Sequence, residues 1–346
     1  MIRFECDYEE GMHPKILDKL IKTNLEQTPG YGKDEYCIAA ANKIKTMCNN
    51  QEADVHFLVG GTQTNMIVID SILRPYQGVI CADIGHINVH ETGAVESTGH
   101  KVIAIESNNG KITGKQVRKV YEEHYNCEIR EHTVQPGMVY ITNPTEIGTI
   151  YKKEELEEIS KACKECNLPL YMDGARLGYG LMSEDNDMIL DDIARCCDVF
   201  YIGGTKIGAM FGEAVVITNK NLQKDFRYMI KRDGGLLAKG RMLGIQFDTL
   251  FTDNLYFEIS KHAIDMAMKI KQAFINKGFE FKYDSNTNQQ FPIIKNELLK
   301  KLEEKYVFDY WEKYDETSSV VRICTSWATK EEYVNELIED LNKLVK

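Results

Sequence analysis

Short apolar runs alternate with segments of helical periodicity through the first two thirds of the sequence. Runs such as "VFYI" (199–202) and "AVVI" (214–217) are followed by turn residues, which is typical of buried strands. Between such runs lie amphipathic segments, of which 153–167 carries Glu and Lys on its outer face. This alternation predicts an α/β fold with a mostly parallel sheet and helices on both faces.

The pattern changes after Asp253. A long helical segment leads into short predicted strands, the first at 279–284, and then into terminal helices. This order predicts a separate α+β unit. We therefore predict a large domain of residues 1–253, which includes the N-terminal segment, and a smaller C-terminal domain of residues 254–346.

Composition and charge narrow the function classes. The 346 residues carry a net charge of −11 and contain no block of Lys and Arg, which argues against a nucleic-acid partner. The N-terminus does not read as a signal peptide, and no apolar run approaches the ~20 residues of a membrane helix. We therefore predict a cytoplasmic protein without a membrane partner. The ten cysteines include Cys163 and Cys166, but no second pair stands at zinc spacing, so we predict no metal site.

Residues at the predicted strand ends are candidates for a site, because open α/β sheets bind ligands there. In the turn "GGTQTN" (60–65), Gly61 and Thr62 either hold an anion at a helix N-terminus or merely start the helix. Asp173 either meets a cation or protonated nitrogen or caps the next segment. Lys206 lies in a Gly-rich turn between two apolar runs, where a lysine is either a plain solvent contact or a reactive group of a site.

Another predicted strand end carries two imidazoles and a carboxylate, His86, His90 and Glu91. These residue types are consistent with catalysis, with a structural role or with a metal site, although no H-E-x-x-H motif is present.

The combination of strand-end residues is more specific than any one of them. Pyridoxal 5'-phosphate (PLP) needs a lysine for its aldehyde, a carboxylate for its pyridine nitrogen and a cradle for its phosphate. Lys206, Asp173 and the 60–65 turn could supply these three groups. We therefore predict a PLP site, in which Gly203 and Gly204 leave room for a flat ring.

Six motifs carry a family resemblance: "GYGKDEY" (30–36), "GGTQTN" (60–65), "GHINVHETGA" (85–94), "YMDGAR" (171–176), "YIGGTK" (201–206) and "VVRICTSW" (320–327). Nearly the whole chain resembles the L-threonine aldolase branch of the aspartate aminotransferase-fold (type I) PLP enzymes, a group often labelled beta-eliminating lyases. The resemblance implies PLP as the cofactor, a small amino acid as the substrate, and a homodimer or homotetramer with shared active sites.

The resemblance also implies roles toward the cofactor. Lys206 would hold PLP as a Schiff base, Asp173 would pair with the pyridine nitrogen, and His86 would stack on the ring. Arg176 would lie near the phenolic oxygen. The phosphate would be held by Gly61, Thr62 and Thr205.

Further roles are implied toward the substrate. Arg322 would clamp the amino-acid carboxylate, with Arg176 close by. Tyr31 would reach the site of the neighbouring subunit, as would Lys239 or Arg241.

The chain departs from the family pattern around the substrate. Where bacterial members have the Ser of "RSDT", Cys6 or Asp7 takes its place. His90 replaces a Tyr, and "NPTE" places Thr145 and Glu146 where some members have a His. These departures affect the substrate preference and the identity of the base, while the cofactor set is unchanged.

The implied reaction is cleavage of the Cα–Cβ bond of a β-hydroxy-α-amino acid. L-Threonine or L-allo-threonine would give glycine and acetaldehyde. His86 and His90 are the candidates for the base that takes the β-hydroxyl proton, with Glu146 or a bound water as alternatives. PLP-dependent β-elimination or transamination is the alternative within this cofactor class. A non-catalytic binding protein is the alternative from another class, and the presence of both Lys206 and Asp173 argues against it.

Overall fold

The structure, a computed structural model, describes residues 1–345. Its strands are β1 (Ile2–Arg3), β2 (Asp54–Leu58), β3 (Gln77–Ala82), β4 (Lys101–Ile105), β5 (Gln135–Thr142), β6 (Leu170–Asp173), β7 (Val199–Gly203), β8 (Glu213–Ile217), β9 (Gln289–Gln290), β10 (Ile293–Lys295), β11 (Tyr306–Val307), β12 (Asp309–Lys313) and β13 (Ser318–Cys324).

Its helices are α1 (Pro14–Thr23), α2 (Glu35–Met47), α3 (Gly61–Ile72), α4 (His86–Val89), α5 (Ala94–Ser97), α6 (Gly114–Tyr125), α7 (Lys153–Glu165), α8 (Leu177–Leu181), α9 (Leu190–Cys196), α10 (Lys220–Gln223), α11 (Phe226–Arg232), α12 (Arg241–Leu250), α13 (Leu255–Asn276), α14 (Asn296–Glu303) and α15 (Glu331–Leu344), with a short 3-10 helix at Arg130–His132. Within residues 1–345, none of the helices has both the length and the apolar character needed to cross a bilayer.

Seven strands form the main sheet, in the order β2-β8-β7-β6-β5-β3-β4. Strands β7, β6, β5, β3 and β4 are parallel to one another, whereas β8 runs antiparallel to both of its neighbours, β7 and β2. The predicted α/β fold with a mostly parallel sheet is confirmed.

Alternate residues of the strands face two helix layers. In β7, Phe200 and Ile202 pack into one buried cluster with α2, α7 and α12. Val199 and Tyr201 pack into a second cluster with α3 and α11. A slip of one residue would exchange the two faces, so packing on both sides fixes the register of the strand and the position of the turn that follows it.

A smaller unit is built on a second sheet, in which β13 pairs antiparallel with β10, β12 and β9. Helix α13 joins the two units: Tyr256 packs in the core of the main sheet, whereas Ile270 and Phe274 pack in the core of the smaller unit. Phe4 packs in that smaller core too. The division after Asp253 stays a prediction, and we propose that the smaller unit also takes in the first strand.

The predicted strand at 279–284 is wrong. The segment forms only an isolated bridge, between Phe281 and Pro292. Because Pro292 has no N–H to donate, a regular ladder cannot continue through it.

The topology collects several strand ends at one edge of the main sheet. β3, β5, β6 and β7 are parallel, so their carboxyl ends lie together. β2 ends there as well, because it is antiparallel to β8, which is antiparallel to β7. The turns after β2, β6 and β7, which carry the predicted site residues, therefore meet.

Candidate active site

One cavity of about 250 Å³ opens at this edge of the sheet. The ends of β6 and β7 and the first residues of α3 and α4 contribute to its walls. It is lined by all seven residues predicted to hold the cofactor: Gly61, Thr62, His86, Asp173, Arg176, Thr205 and Lys206.

Lys206 is half-buried in the turn after β7. Its carbonyl oxygen accepts a hydrogen bond from Tyr179, while its amine forms no hydrogen bond or ion pair with residues 1–345. Burial and the charge of Arg176 lower the pKa of Lys206, against the opposing charges of Asp7 and Asp173. An amine that loses its proton readily and has no partner is suited to attack an aldehyde.

The glycines of this turn have a packing role. A Cβ on Gly203 would lie 2.2 Å from the carbonyl oxygen of Ala175, and one on Gly204 would lie 2.7 Å from the ring of Phe247. The two glycines therefore let the Lys206 turn pack closely against Ala175 and Phe247. The prediction that they leave room for a flat ring has no support in these contacts.

Asp173 is fixed by hydrogen bonds to both of its oxygens. Oδ1 accepts from the backbone N–H of Ala175 at 3.0 Å, and Oδ2 accepts from the Tyr140 hydroxyl at 2.6 Å and the Asn65 amide at 3.0 Å. The Asn65 oxygen in turn accepts from the Tyr171 hydroxyl. Sequence reasoning missed both tyrosines, because they occupy ordinary positions of apolar strands.

His86 begins α4 and is held from behind by Glu91. Its Nδ1 lies 2.7 Å from Glu91 Oε1, which also accepts from the Asn65 amide. The Glu91 side chain is fully buried, and its Oε2 has no hydrogen-bond partner among the described residues. A carboxylate at Nδ1 assigns the proton to that nitrogen and leaves Nε2 as the acceptor.

The two alternative bases lie on either side of this histidine. His90 is exposed, and its ring centroid lies 5.5 Å from that of His86. Partial desolvation of the ring and the charge of His86 lower the pKa of His90. It lines an adjoining cavity of about 340 Å³ rather than the Lys206 cavity. Glu146 lines both cavities. Its Oε1 accepts from the Thr142 hydroxyl and the His86 backbone N–H, and burial raises its pKa.

Asp7 lies behind Arg176 and does not reach the cavity. The Arg176 guanidinium donates to both Asp7 oxygens, at 2.7 and 3.0 Å, and Asn288 donates to the same carboxylate. Burial alone would raise the pKa of Asp7, but Arg176 and Lys206 more than offset it and hold the pKa below its usual value. Asp7 therefore holds Arg176 in this structure, and its contact with the substrate stays a prediction.

Cys6 and Arg322 stand outside the cavity wall. Cys6 is half-buried, and burial raises the pKa of its thiol; Tyr8, which sequence reasoning missed, lines the cavity instead. Arg322 is on β13, where its guanidinium donates to Gln289 Oε1 and the Glu5 carbonyl oxygen, both at 3.2 Å.

The residues assigned to a neighbouring subunit lie away from the Lys206 cavity of their own chain. Tyr31 is exposed and lines a separate cavity of about 150 Å³. Lys239 is exposed too. Arg241 donates to three carbonyl oxygens at and just after the end of α1, those of Thr23, Asn24 and Glu26, so its guanidinium is already used within the chain.

Glu213 is a further cavity residue that sequence reasoning missed. Its Oε1 accepts from the Thr205 hydroxyl at 2.8 Å, and its Oε2 accepts from the Gly204 N–H at 3.0 Å. Burial raises the pKa of Glu213 to about 8. The Thr205 hydroxyl therefore already has an acceptor before any phosphate arrives. As the first residue of an apolar strand, Glu213 gave no signal in the sequence pattern.

An anion would fit at the start of α3. The helix has Gly60 at its N-cap, with no side chain bonded to its first N–H groups. A Cβ at Gly60 would meet nothing within 4 Å, so this side of the turn is open. Free N–H groups and the helix dipole favour a phosphate there. Together with the free Lys206 amine and the buried Asp173, the donor set fits PLP.

The family model for beta-eliminating lyases matches residues 11–294. The chain belongs to the beta-eliminating lyase family. Among its relatives, a low specificity L-threonine aldolase from a Pseudomonas species is 30% identical, with 99% of this chain and 98% of the relative covered.

Solved structures support the same family for this chain. A threonine aldolase from Leishmania major superposes with a TM-score of 0.97 at 44% identity over the full length of both chains. An aspartate aminotransferase from Thermus thermophilus has a TM-score of 0.72 at 14% identity, covering 99% of this chain and 91% of its own. The second likeness concerns the fold alone. The predicted type I fold and family are confirmed.

Proposed function

We propose that the protein is a PLP-dependent aldehyde-lyase that cleaves L-threonine or L-allo-threonine to glycine and acetaldehyde. The observation that carries the proposal is the free, half-buried amine of Lys206, which lines one cavity with Asp173 and the uncapped start of α3. The names of the relatives support the same reaction: the Pseudomonas and Leishmania proteins are threonine aldolases.

Each part of the cofactor would have its own protein partner. Lys206 would bind the aldehyde, the α3 N-terminus with Gly61 and Thr62 would hold the phosphate, and Asp173 would hold a proton on the pyridine nitrogen. When bound, PLP supplies an electron sink for the bond that breaks at Cα. Tyr140 and Asn65 keep the Asp173 carboxylate in place, so that it meets the nitrogen without reorganisation.

His86 is the base that the geometry favours for the β-hydroxyl proton. It lines the cavity, and Glu91 fixes its Nδ1. Its Nε2 can then accept a proton while the buried carboxylate stabilises the imidazolium. Glu146 binds the backbone of the same histidine and would position it. His90 would face the substrate's β-substituent from the adjoining cavity.

The proposal includes a homodimer or homotetramer in which neighbouring chains complete each site. Four apolar side chains near the N-terminus are exposed in the single chain: Leu17, Ile21, Leu25 and Ile38. Leu25 is 91% exposed. Several exposed apolar side chains close together in the sequence are unusual on the surface of a monomer. Tyr31 lies in the same region and would reach the partner's cavity. A cytoplasmic location remains a prediction from the sequence.

Product analysis tests the proposal. The PLP-loaded protein is incubated with L-threonine, L-allo-threonine and L-serine, and acetaldehyde, glycine, 2-oxobutyrate, pyruvate and ammonia are measured. We expect equal amounts of acetaldehyde and glycine from the threonines. Ammonia with 2-oxobutyrate from the threonines, or with pyruvate from L-serine, and no aldehyde would instead indicate β-elimination and overturn the proposal.

A further inference from the structure

The guanidinium of Arg322 is only partly used by its hydrogen bonds. Two of its five N–H groups donate, one to Gln289 and one to the Glu5 carbonyl. Nε is buried and has no hydrogen-bond partner within residues 1–345. Trp311 lies under the group, with its ring centroid 5.6 Å from Cζ. A flat cation with donors to spare is suited to bind a carboxylate.

A carboxylate of the protein already lies beside these donors. Asp309 is directly opposite Arg322 in the pairing of β12 with β13, and its Oδ2 is 2.8 Å from Nη2. This contact is an ion pair and not one of the hydrogen bonds of the guanidinium, which go to Gln289 and to the Glu5 carbonyl. Asp309 therefore neutralises the charge of Arg322 but leaves hydrogen-bond donors of its guanidinium unused.

Exposure also differs between the two partners. The Arg322 side chain is 15% exposed, whereas that of Asp309 is 38% exposed and can turn toward water. An incoming carboxylate would find an oriented, mostly buried cation and a more exposed anion next to it.

We propose that Asp309 is an internal competitor of the substrate carboxylate, and that it sets the affinity of Arg322 for amino acids. The inference rests on the proposed function, in which Arg322 clamps that carboxylate. Its consequence is weaker binding of every amino acid, including the product glycine, than Arg322 alone would give. A ligand without a carboxylate would not experience the competition.

The test compares glycine with glycinamide, which has a neutral amide in place of the carboxylate. Both are titrated into the PLP-loaded protein and followed by calorimetry and by the visible absorbance of the cofactor. For Asp309→Asn we expect roughly fivefold tighter glycine binding and unchanged glycinamide binding. Asp309→Glu keeps the charge and should stay near the wild-type value. Glu312→Gln on the same strand is the control, because Glu312 contacts Lys282 and Tyr283 instead.

Two outcomes overturn the inference in different ways. If Arg322→Gln leaves the preference for glycine over glycinamide intact, then Arg322 is not the clamp, and that part of the proposed function falls together with the inference. If Arg322→Gln removes the preference but Asp309→Asn leaves glycine binding unchanged or weaker, then only the competition is wrong. In the weaker case Asp309 would position Arg322.

Discussion

The two ends of the proposed site are built differently. At the sheet edge, Asp173 accepts three hydrogen bonds and is almost fully buried. In the smaller unit, Arg322 has unused donors and an ion pair with a partly exposed carboxylate. The first arrangement holds one geometry, whereas the second leaves a choice between partners.

This difference suits the two ligands that would bind there. A cofactor stays through many turnovers, so its partners gain from being fixed in advance. A substrate and its product must both enter and leave, so a clamp that binds too tightly would slow release. We therefore expect changes at the sheet edge to act on kcat and cofactor binding, and changes at Arg322 to act mainly on KM.

The largest expected effect is that of Lys206→Ala. Without the amine, PLP cannot be bound covalently, and we expect at least a ~10³-fold loss of threonine cleavage. We also expect the visible absorbance of the protein-bound cofactor to shift. It is measured on protein that has been incubated with PLP and then separated from unbound PLP by gel filtration. Lys161→Ala, at an exposed position of α7, is the control and should match wild type. A Lys206→Ala protein with the wild-type absorbance band would contradict the assignment.

Asp173→Asn comes next. The amide cannot hold the pyridine nitrogen protonated, so we expect kcat to fall ~10²-fold or more with KM little changed. Asp198→Asn is a useful comparison, because Asp198 binds the Leu170 N–H and Asn219 at the opposite end of the strands. That variant should lose stability but keep the kcat of its folded fraction. An unchanged kcat in Asp173→Asn would contradict the difference that we draw between the sheet edge and Arg322.

The sheet edge was the part of the molecule that the sequence predicted well. Buried parallel strands read as continuous apolar runs, so the polar residue that ends each run stands out, as Asp173 and Lys206 do. Parallel topology then brings these ends together without further information.

The partners of these residues were not predictable in the same way. Tyr140 and Glu213 belong to strands, and their function depends on which neighbour lies across the sheet, which the periodicity of one segment does not contain. The strand predicted at 279–284 failed for a related reason, since the pairing was interrupted by Pro292, a residue of the partner segment. Asp309 and Arg322 also meet only through strand pairing.

Arg322→Lys should separate binding from chemistry. A lysine keeps the charge but loses the planar fork, so we expect KM for L-threonine to rise about tenfold and kcat to change less than about threefold. Steady-state kinetics with L-threonine would show this split. A fall in kcat with unchanged KM would mean that Arg322 acts on the reacting bond, and the comparison between the two ends would no longer hold.

The smallest expected effect concerns Glu213 and tests how tightly the sheet edge is constrained. Its pKa is raised to about 8 by burial, so the folded state binds a proton that the unfolded chain releases near pH 4.5. The stability that this proton provides is present at low pH and is lost as the pH rises toward and through 8. In the PLP-free protein, we expect the Tm of wild type to fall between pH 7 and 9 by the equivalent of about 1.4 kcal/mol more than that of Glu213→Gln. Glutamine can still accept from Thr205 or Gly204, so the two proteins should have similar Tm values at pH 5. Parallel Tm profiles across the whole range would show that Glu213 is ionised in the fold, and that the Lys206 turn tolerates a buried negative charge beside the phosphate site.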